Sequence, residues 1–228
     1  MNEPSSKNLP DINAWRKEQR AAWIAWRQAV PEAQRLQRDR RITAFLRTAL
    51  SSPRDVIIGF CWPFKGEFDA RFAVRDWRGQ GATAALPEVI GKGQPLRFRQ
   101  WWPGAPMTTG VYDIPLPDGT PEVLPDVAIV PMNACDGRGY RLGYGGGYFD
   151  RTLAALGRRV IAIGVTYHDC HVPSIFPQAH DLPMDFVVTD AGISAGGGVP
   201  RIALEPAEFG EQVQQLMTRR RLPRIDYN

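Results

Sequence analysis

The stretch DVAIVPMNACDGRGYRLGYGGGYFDRTLAALGRRVIAIGVT, residues 126–166, decides the fold class. It opens on an apolar run of strand length, DVAIVP (126–131), and passes through a loop with glycine at 143, 145, 146 and 147. A helical segment around 150–157 follows, and a second apolar run, RVIAIGVT (159–166), closes it. Parallel neighbours need a crossover, usually a helix, and a strand that is apolar throughout is covered on both faces. The segment therefore predicts one unit of a parallel, two-sided sheet.

Working outward, the same texture returns. DVIIGFCW (55–62) is a buried strand leading into the polar turn KGE (65–67). Residues 70–80 can form a helix, and ATAALP (82–87) is the strand after it. DFVVT (185–189) adds another, while LRFRQW (96–101) alternates as a half-exposed strand does. The expectation is a single α/β domain over residues 1–228, a Rossmann-like three-layer sandwich with a mostly parallel sheet. Residues 103–125 hold six prolines and read as a long irregular connection, a kind of loop that is often functional.

Ahead of the sheet, residues 1–12 read as a flexible tail. A helical arm follows from about Asn13 to Leu50, broken near Val30–Pro31. Trp15, Ala22, Trp26 and Ala29 recur at helical spacing in its first half, and Ile42, Phe45, Leu46, Ala49 and Leu50 in its second. Nine basic residues decorate it: Arg16, Lys17, Arg20, Arg27, Arg35, Arg38, Arg40, Arg41 and Arg47. At the other end, GISAGGGVP (192–200) reads as a linker, and 204–221 as a last helix ending in the basic TRRR of a C-terminal extension.

Composition narrows the function classes. The 228 residues are 43% hydrophobic and 23% charged, ordinary for a soluble domain with a core. No apolar run reaches the roughly 18 residues of a membrane span, and the polar N-terminus carries no signal-like apolar region. The expected setting is the cytoplasm, without a membrane. Cys61, Cys135 and Cys170 are odd in number and far apart, so they read as small buried side chains rather than disulfides. His168, His171 and His180 lie on a proline-rich loop without the spacing of a zinc site. The net charge of +4, with arginine in excess, favours an anionic ligand: a nucleotide, a polyglutamylated small molecule or a nucleic acid.

The glycine loop is the strongest chemical signal. Bare backbone at Gly143, Gly145, Gly146 and Gly147 lets N–H groups approach an anion, and the following helix aims its positive end at the same place. Arg141 adds a formal charge before the loop. Asp150 after it is placed to hold a hydrated magnesium ion or to cap the helix. No GK[ST] follows, so this is not a Walker A loop.

GYRLGYGGGYFDR, residues 139–151, closely resembles the signature of the 5-formyltetrahydrofolate cyclo-ligase family, with Phe149 where a second tyrosine is typical. WPFKGEFDAR (62–71), ALPEVIGKGQPLRFRQW (85–101), TGVYDIPLP (109–117) and FPQAHDLPMDFVVTD (176–190) resemble other family segments in the expected order. The likeness spans residues 13–191.

It implies that 5-formyltetrahydrofolate and MgATP become 5,10-methenyltetrahydrofolate, ADP and phosphate. An N-formyl amide is a poor electrophile, and phosphorylating its oxygen lets N10 close the ring. The protein's share is positioning and charge stabilisation. By position the family implies that Arg141 and Gly143, Tyr144, Gly145, Gly146, Gly147 and Tyr148 bind ATP, with Arg141 and Tyr148 the catalytic candidates. Arg16 or Lys17, then Arg20, reach ATP from the arm. Asp150 and Asp181 are the magnesium candidates. Glu67, Tyr112 and Tyr144 are the folate contacts, Glu67 because a carboxylate suits the pterin's N–H donors. The small-molecule substrate needs no nucleic acid and no obligate protein partner. Two departures stand out: His171 where glutamine is common, and Asp190 for the usual glutamate. His171 and the extended termini leave open a paralogue acting on another formylated or acylated small molecule. A non-catalytic nucleic-acid-binding protein is the alternative from another class, and it has no recognised module in the sequence.

Overall fold

A computed structural model describes residues 11–51 and 53–220. The tail expected at 1–12 lies outside these residues except for Asp11 and Ile12. Asp11 caps the first helix, accepting the N–H groups of Asn13 and Ala14. That helix, α1 (Ile12–Ala29), ends where Pro31 forbids its continuation, and α2 (Glu32–Ala49) completes the arm as the sequence indicates.

The chain then runs through β1 (Ile57–Gly59), α3 (Arg71–Gly79), β2 (Thr83–Glu88) and β3 (Arg97–Trp101). Next come β4 (Met107–Thr109), β5 (Pro115–Pro117), β6 (Glu122–Val123), β7 (Val127–Pro131), β8 (Ala134–Cys135) and β9 (Arg141–Leu142). The last elements are α4 (Tyr148–Leu156), β10 (Ile161–Val165), β11 (Phe186–Thr189), β12 (Gly192–Ala195), β13 (Ile202–Leu204) and α5 (Pro206–Arg220).

Nine strands form one sheet in the order β13-β12-β11-β10-β7-β1-β2-β3-β6. The five central strands are parallel, and the pairs at both edges are antiparallel. Period-2 alternation sorts the side chains of the parallel strands onto two cores. Val127, Ile129, Ile161, Ile163, Val165, Phe186 and Val188 pack with α2, α3 and α5. Ala128, Val130, Ala162 and Val187 pack on the other side with Leu153 and Phe149 of α4. This is the α/β sandwich expected from the all-apolar runs.

Two readings at the edges need correction. Residues 103–125 are not irregular throughout, because β4 and β5 pair as a hairpin and β6 joins the sheet through β3. Nor is 192–200 a linker. Gly192–Ala195 pairs along β11, and the N–H groups of Gly196 and Gly197 donate to the carbonyls of Asp185 and Met184, both at 2.8 Å. A Cβ at Gly196 would lie 2.3 Å from the Met184 oxygen, so this glycine permits close backbone approach. Phe209, Val213 and Met217 of α5 are buried in the same core as α2, and Arg220 binds Asp185 at 2.8 Å. The C-terminal segment is thus part of the sheet and its cover. Arg221, the end of the basic TRRR, lies outside the described residues.

Within the parallel core the spatial order is β2-β1-β7-β10-β11, against the chain order β1, β2, β7, β10, β11. The order reverses between β1 and β7. In doubly wound sheets ligands bind at such a switch point, beyond the carboxyl ends of the strands.

Candidate functional site

A cavity of about 330 Å³ opens at that switch point, within the size range of small-molecule sites. The turn that follows β1 brings Cys61, Trp62, Phe64 and Glu67 to it, and the end of β2 brings Leu86 and Pro87. Beyond β7, the β8–β9 hairpin turns the chain back so that β9 delivers Arg141 and the loop Gly143–Gly147. The β4–β5 hairpin reaches its rim with Tyr112, 63% exposed and in the left-handed region at φ 62°.

Residues far apart in the chain therefore meet. Arg16, Arg20, Glu67, Tyr112, Arg141, Gly143–Gly147, Tyr148, Asp150 and Asp181 all line this one cavity. Lys17 does not. It is exposed and lies about 100° around the helix from Arg16. Of the two, Arg16 is the one that lines the cavity.

The loop suits an anion. Gly147 precedes α4 in a left-handed conformation and supplies no side-chain cap, so the first-turn N–H groups lack that partner. Arg141 is buried; its Nη1 donates to the Leu182 carbonyl at 3.1 Å, and its Nη2 pairs with Asp150 at 2.9 Å. Burial pushes the Arg141 pKa below the ordinary arginine value, and Asp150 opposes that shift. Asp150 also accepts the Leu182 N–H at 3.1 Å.

The arm contributes two different cations. Arg16 donates to the carbonyls of Ile175 and Phe176 and pairs with Asp181 at 2.5 Å, so its donors serve the 175–181 loop. Burial alone would raise Asp181, but the Arg16 hydrogen bond holds its carboxyl below the usual range. Arg20 makes one hydrogen bond among the described residues, from Nε to the Gly143 carbonyl at 2.9 Å. Its pKa is lowered by burial and by neighbouring Arg16.

Glu67 is 6% exposed. It accepts the Tyr144 hydroxyl at 2.8 Å and the Phe64 N–H at 3.1 Å, with Arg27 Nη2 at 3.9 Å. Burial pushes its pKa up, against Arg27, Tyr144 and the Phe64 N–H. Arg27 is the residue that sequence reasoning passed over, counting it only among the arginines of the arm. A signal was present: 16, 20 and 27 differ by 4 and 11 positions, which places them within about 40° on one helix face.

Among the described residues no three His, Cys, Asp or Glu side chains gather into a metal cage. Asp150 and Asp181 on one cavity fit a magnesium ion that arrives with phosphate oxygens, since Mg²⁺ takes one or two carboxylates and keeps waters. Among the described residues no helix is long and apolar enough to cross a membrane.

A model of the 5-formyltetrahydrofolate cyclo-ligase family matches residues 12–190. The chain belongs to this family. A protein of Haemophilus influenzae named 5-formyltetrahydrofolate cyclo-ligase is 28% identical over 134 residues, 56% of this chain and 72% of that one. An Escherichia coli K12 cyclo-ligase is 32% identical over 140 residues, covering 57% and 75%. The solution structure of Aquifex aeolicus 5,10-methenyltetrahydrofolate synthetase is similar over 83% of this chain and 96% of its own, at 25% identity and a TM-score of 0.67. A Mycoplasma pneumoniae synthetase shares the fold at 23% identity and a TM-score of 0.63, covering 79% and 99%. The cyclo-ligase match contains every candidate site residue named above, and ends before β12, β13 and α5.

Proposed function

We propose that this protein converts 5-formyltetrahydrofolate and ATP to 5,10-methenyltetrahydrofolate, ADP and phosphate. The observation that carries the proposal is that one cavity joins two unlike halves. Glycine backbone, the α4 N-terminus, Arg20 and Arg141 make up one part of its lining; Glu67 and the apolar Leu86, Ile114 and Leu116 make up the other by their chemistry. A polyphosphate fits the first half, and a flat heterocycle bearing N–H donors fits the second.

The bound nucleotide supplies a phosphoryl group that turns the formyl oxygen into a leaving group. The chain's own residues orient and neutralise. Arg141 and Arg20 offset charge on the phosphates, and the N–H groups from Gly143 to Tyr148 provide directed donors. Tyr148, first residue of α4, stands beside that centre. Arg16 holds Asp181, and Arg141 holds Asp150, so that both carboxylates are in place for magnesium. Glu67 accepts N–H donors from the pterin, and Tyr112 covers it from the rim. The proposal includes a cytoplasmic setting and no obligate macromolecular partner.

The test is the appearance of methenyltetrahydrofolate absorbance when purified protein meets 5-formyltetrahydrofolate and MgATP, with Arg141→Ala beside it. An ATP-dependent rise that is lost in the variant is expected. No rise from folded protein that binds ATP would reject this substrate.

A further inference from the structure

A guanidinium and a carboxylate lie almost wholly buried beneath the cavity, with a phenol between them. Side chains of Arg27 and Glu67 are 2% and 4% exposed, and at 3.9 Å they do not hydrogen-bond directly. The Tyr144 hydroxyl bridges them, accepting from Arg27 Nη2 at 2.8 Å and donating to Glu67 Oε1 at 2.8 Å. The direction is forced, because an arginine can only donate and the phenol has one hydrogen to give. Arg27 Nε donates in turn to the Lys65 carbonyl at 2.9 Å, so one side chain holds both the turn that carries Glu67 and the phenol that orients it.

A purely structural role explains this poorly. Buried ion pairs stabilise little against apolar replacements, because desolvation offsets the attraction. This carboxylate also lines the cavity, and its Oε2 has only the Phe64 N–H, at 3.1 Å, among the described residues. It keeps lone pairs for a ligand.

We propose that Arg27 is a positioning residue which, through Tyr144, holds Glu67 oriented and ionised for the substrate's N–H donors. The inference rests on the cyclo-ligase reading for the identity of the substrate. Tyr144 belongs to the glycine loop, so the relay also ties the phosphate side of the cavity to its folate side. The groups facing Glu67 are Arg27 from α1, Tyr144 from the loop and Cys61 beyond β1. Burial and Glu67 push that thiol well up, so it stays neutral.

The experiment follows the Glu67 carboxyl by carbon NMR in the full-length protein, assigned with Glu67→Gln, alongside steady-state kinetics for both substrates across pH. In Arg27→Gln the carboxyl titrates at higher pH than in wild type. The KM for 5-formyltetrahydrofolate rises roughly 10- to 100-fold, the worth of a charge-assisted hydrogen bond, and the KM for ATP stays near wild type. Because the loss reflects a Glu67 that is protonated in the variant and ionised in wild type, it is greatest between the two carboxyl pKa values and shrinks on either side of them. Arg27→Lys recovers part of it. Tyr144→Phe, which keeps the ring and removes only the bridge, shifts both readouts the same way. An unmoved Glu67 titration in Arg27→Gln and Tyr144→Phe, or a parallel rise of both KM values at every pH, overturns the proposal. If wild-type protein does not turn over the folate, the cyclo-ligase reading fails, and the titration alone decides whether Arg27 and Tyr144 govern Glu67.

Discussion

Replacing Gly143 with alanine separates the folding role of the glycine loop from its binding role. Gly143 lines the cavity, its φ lies outside the left-handed region, and an added Cβ would meet no heavy atom within 4 Å. Alanine is therefore compatible with the fold. At compatible sites the exchange stabilises by about 0.4–1 kcal/mol through the unfolded chain. At about 2–4 °C per kcal/mol for a chain of this size, Tm should hold or rise by up to about 4 °C. The same methyl group occupies ligand space beside the backbone donors. Displacing one charge-assisted hydrogen bond of about 1.5–3 kcal/mol weakens ATP binding by at least about tenfold. Gly147→Ala is the contrasting control, since Gly147 sits at φ 63° and ψ 17°. There a Cβ costs about 1–2 kcal/mol, a fall of roughly 2–8 °C. Calorimetric unfolding and titration calorimetry with MgATP read both effects. A Gly143→Ala protein that melts several degrees lower, or that binds ATP as wild type does, would refute the assignment of this loop.

Three further outcomes are expected. Arg20→Ala weakens ATP binding roughly 10- to 100-fold by calorimetry, whereas Lys17→Ala leaves it unchanged; equal losses would show that the helix face has been misread. Phe209→Ala removes a fully buried ring that anchors α5 and should cost about 3–5 kcal/mol in denaturant unfolding. A loss under 1 kcal/mol would return residues 206–220 to the status of an appendage. Asp39 is 4% exposed, and burial pushes its pKa up to about 6 despite the Tyr167 hydroxyl at 2.8 Å. The folded state then binds this proton more tightly than the unfolded chain between about pH 4 and 6, so Asp39 lowers stability as pH rises through that window. Asp39→Asn should therefore gain on wild type from pH 4 to 6, by up to roughly 3 kcal/mol, and run parallel to it above; a constant difference would contradict the shift.

The parallel core was legible because a strand buried on both faces must be apolar throughout, and DVAIVP and RVIAIGVT leave no other reading. The break at Val30–Pro31 was equally plain. The edges were not. Strands β6, β8 and β9 have two residues each, too short for any period, and the glycine run after GISA hides that Gly196 is there for close approach to Met184 rather than for a linker. In the site, the glycine loop and its flanking charges were readable from spacing and resemblance. What Arg16 and Arg27 hold was not, because their partners at Ile175 and Tyr144 lie 159 and 117 residues away. Such contacts are created by the sheet order, which brings the ends of β1 and β7 together. The Asp39–Tyr167 pair, 128 residues apart, was hidden for the same reason.

The most direct test of the central claim is product stoichiometry in a single reaction: methenyltetrahydrofolate, ADP and phosphate measured together from 5-formyltetrahydrofolate and MgATP. One ADP and one phosphate per ring closed, with no ADP when the folate is left out, is the predicted result. ADP released without ring closure, or ring closure without ADP, would contradict a single cavity that couples the two.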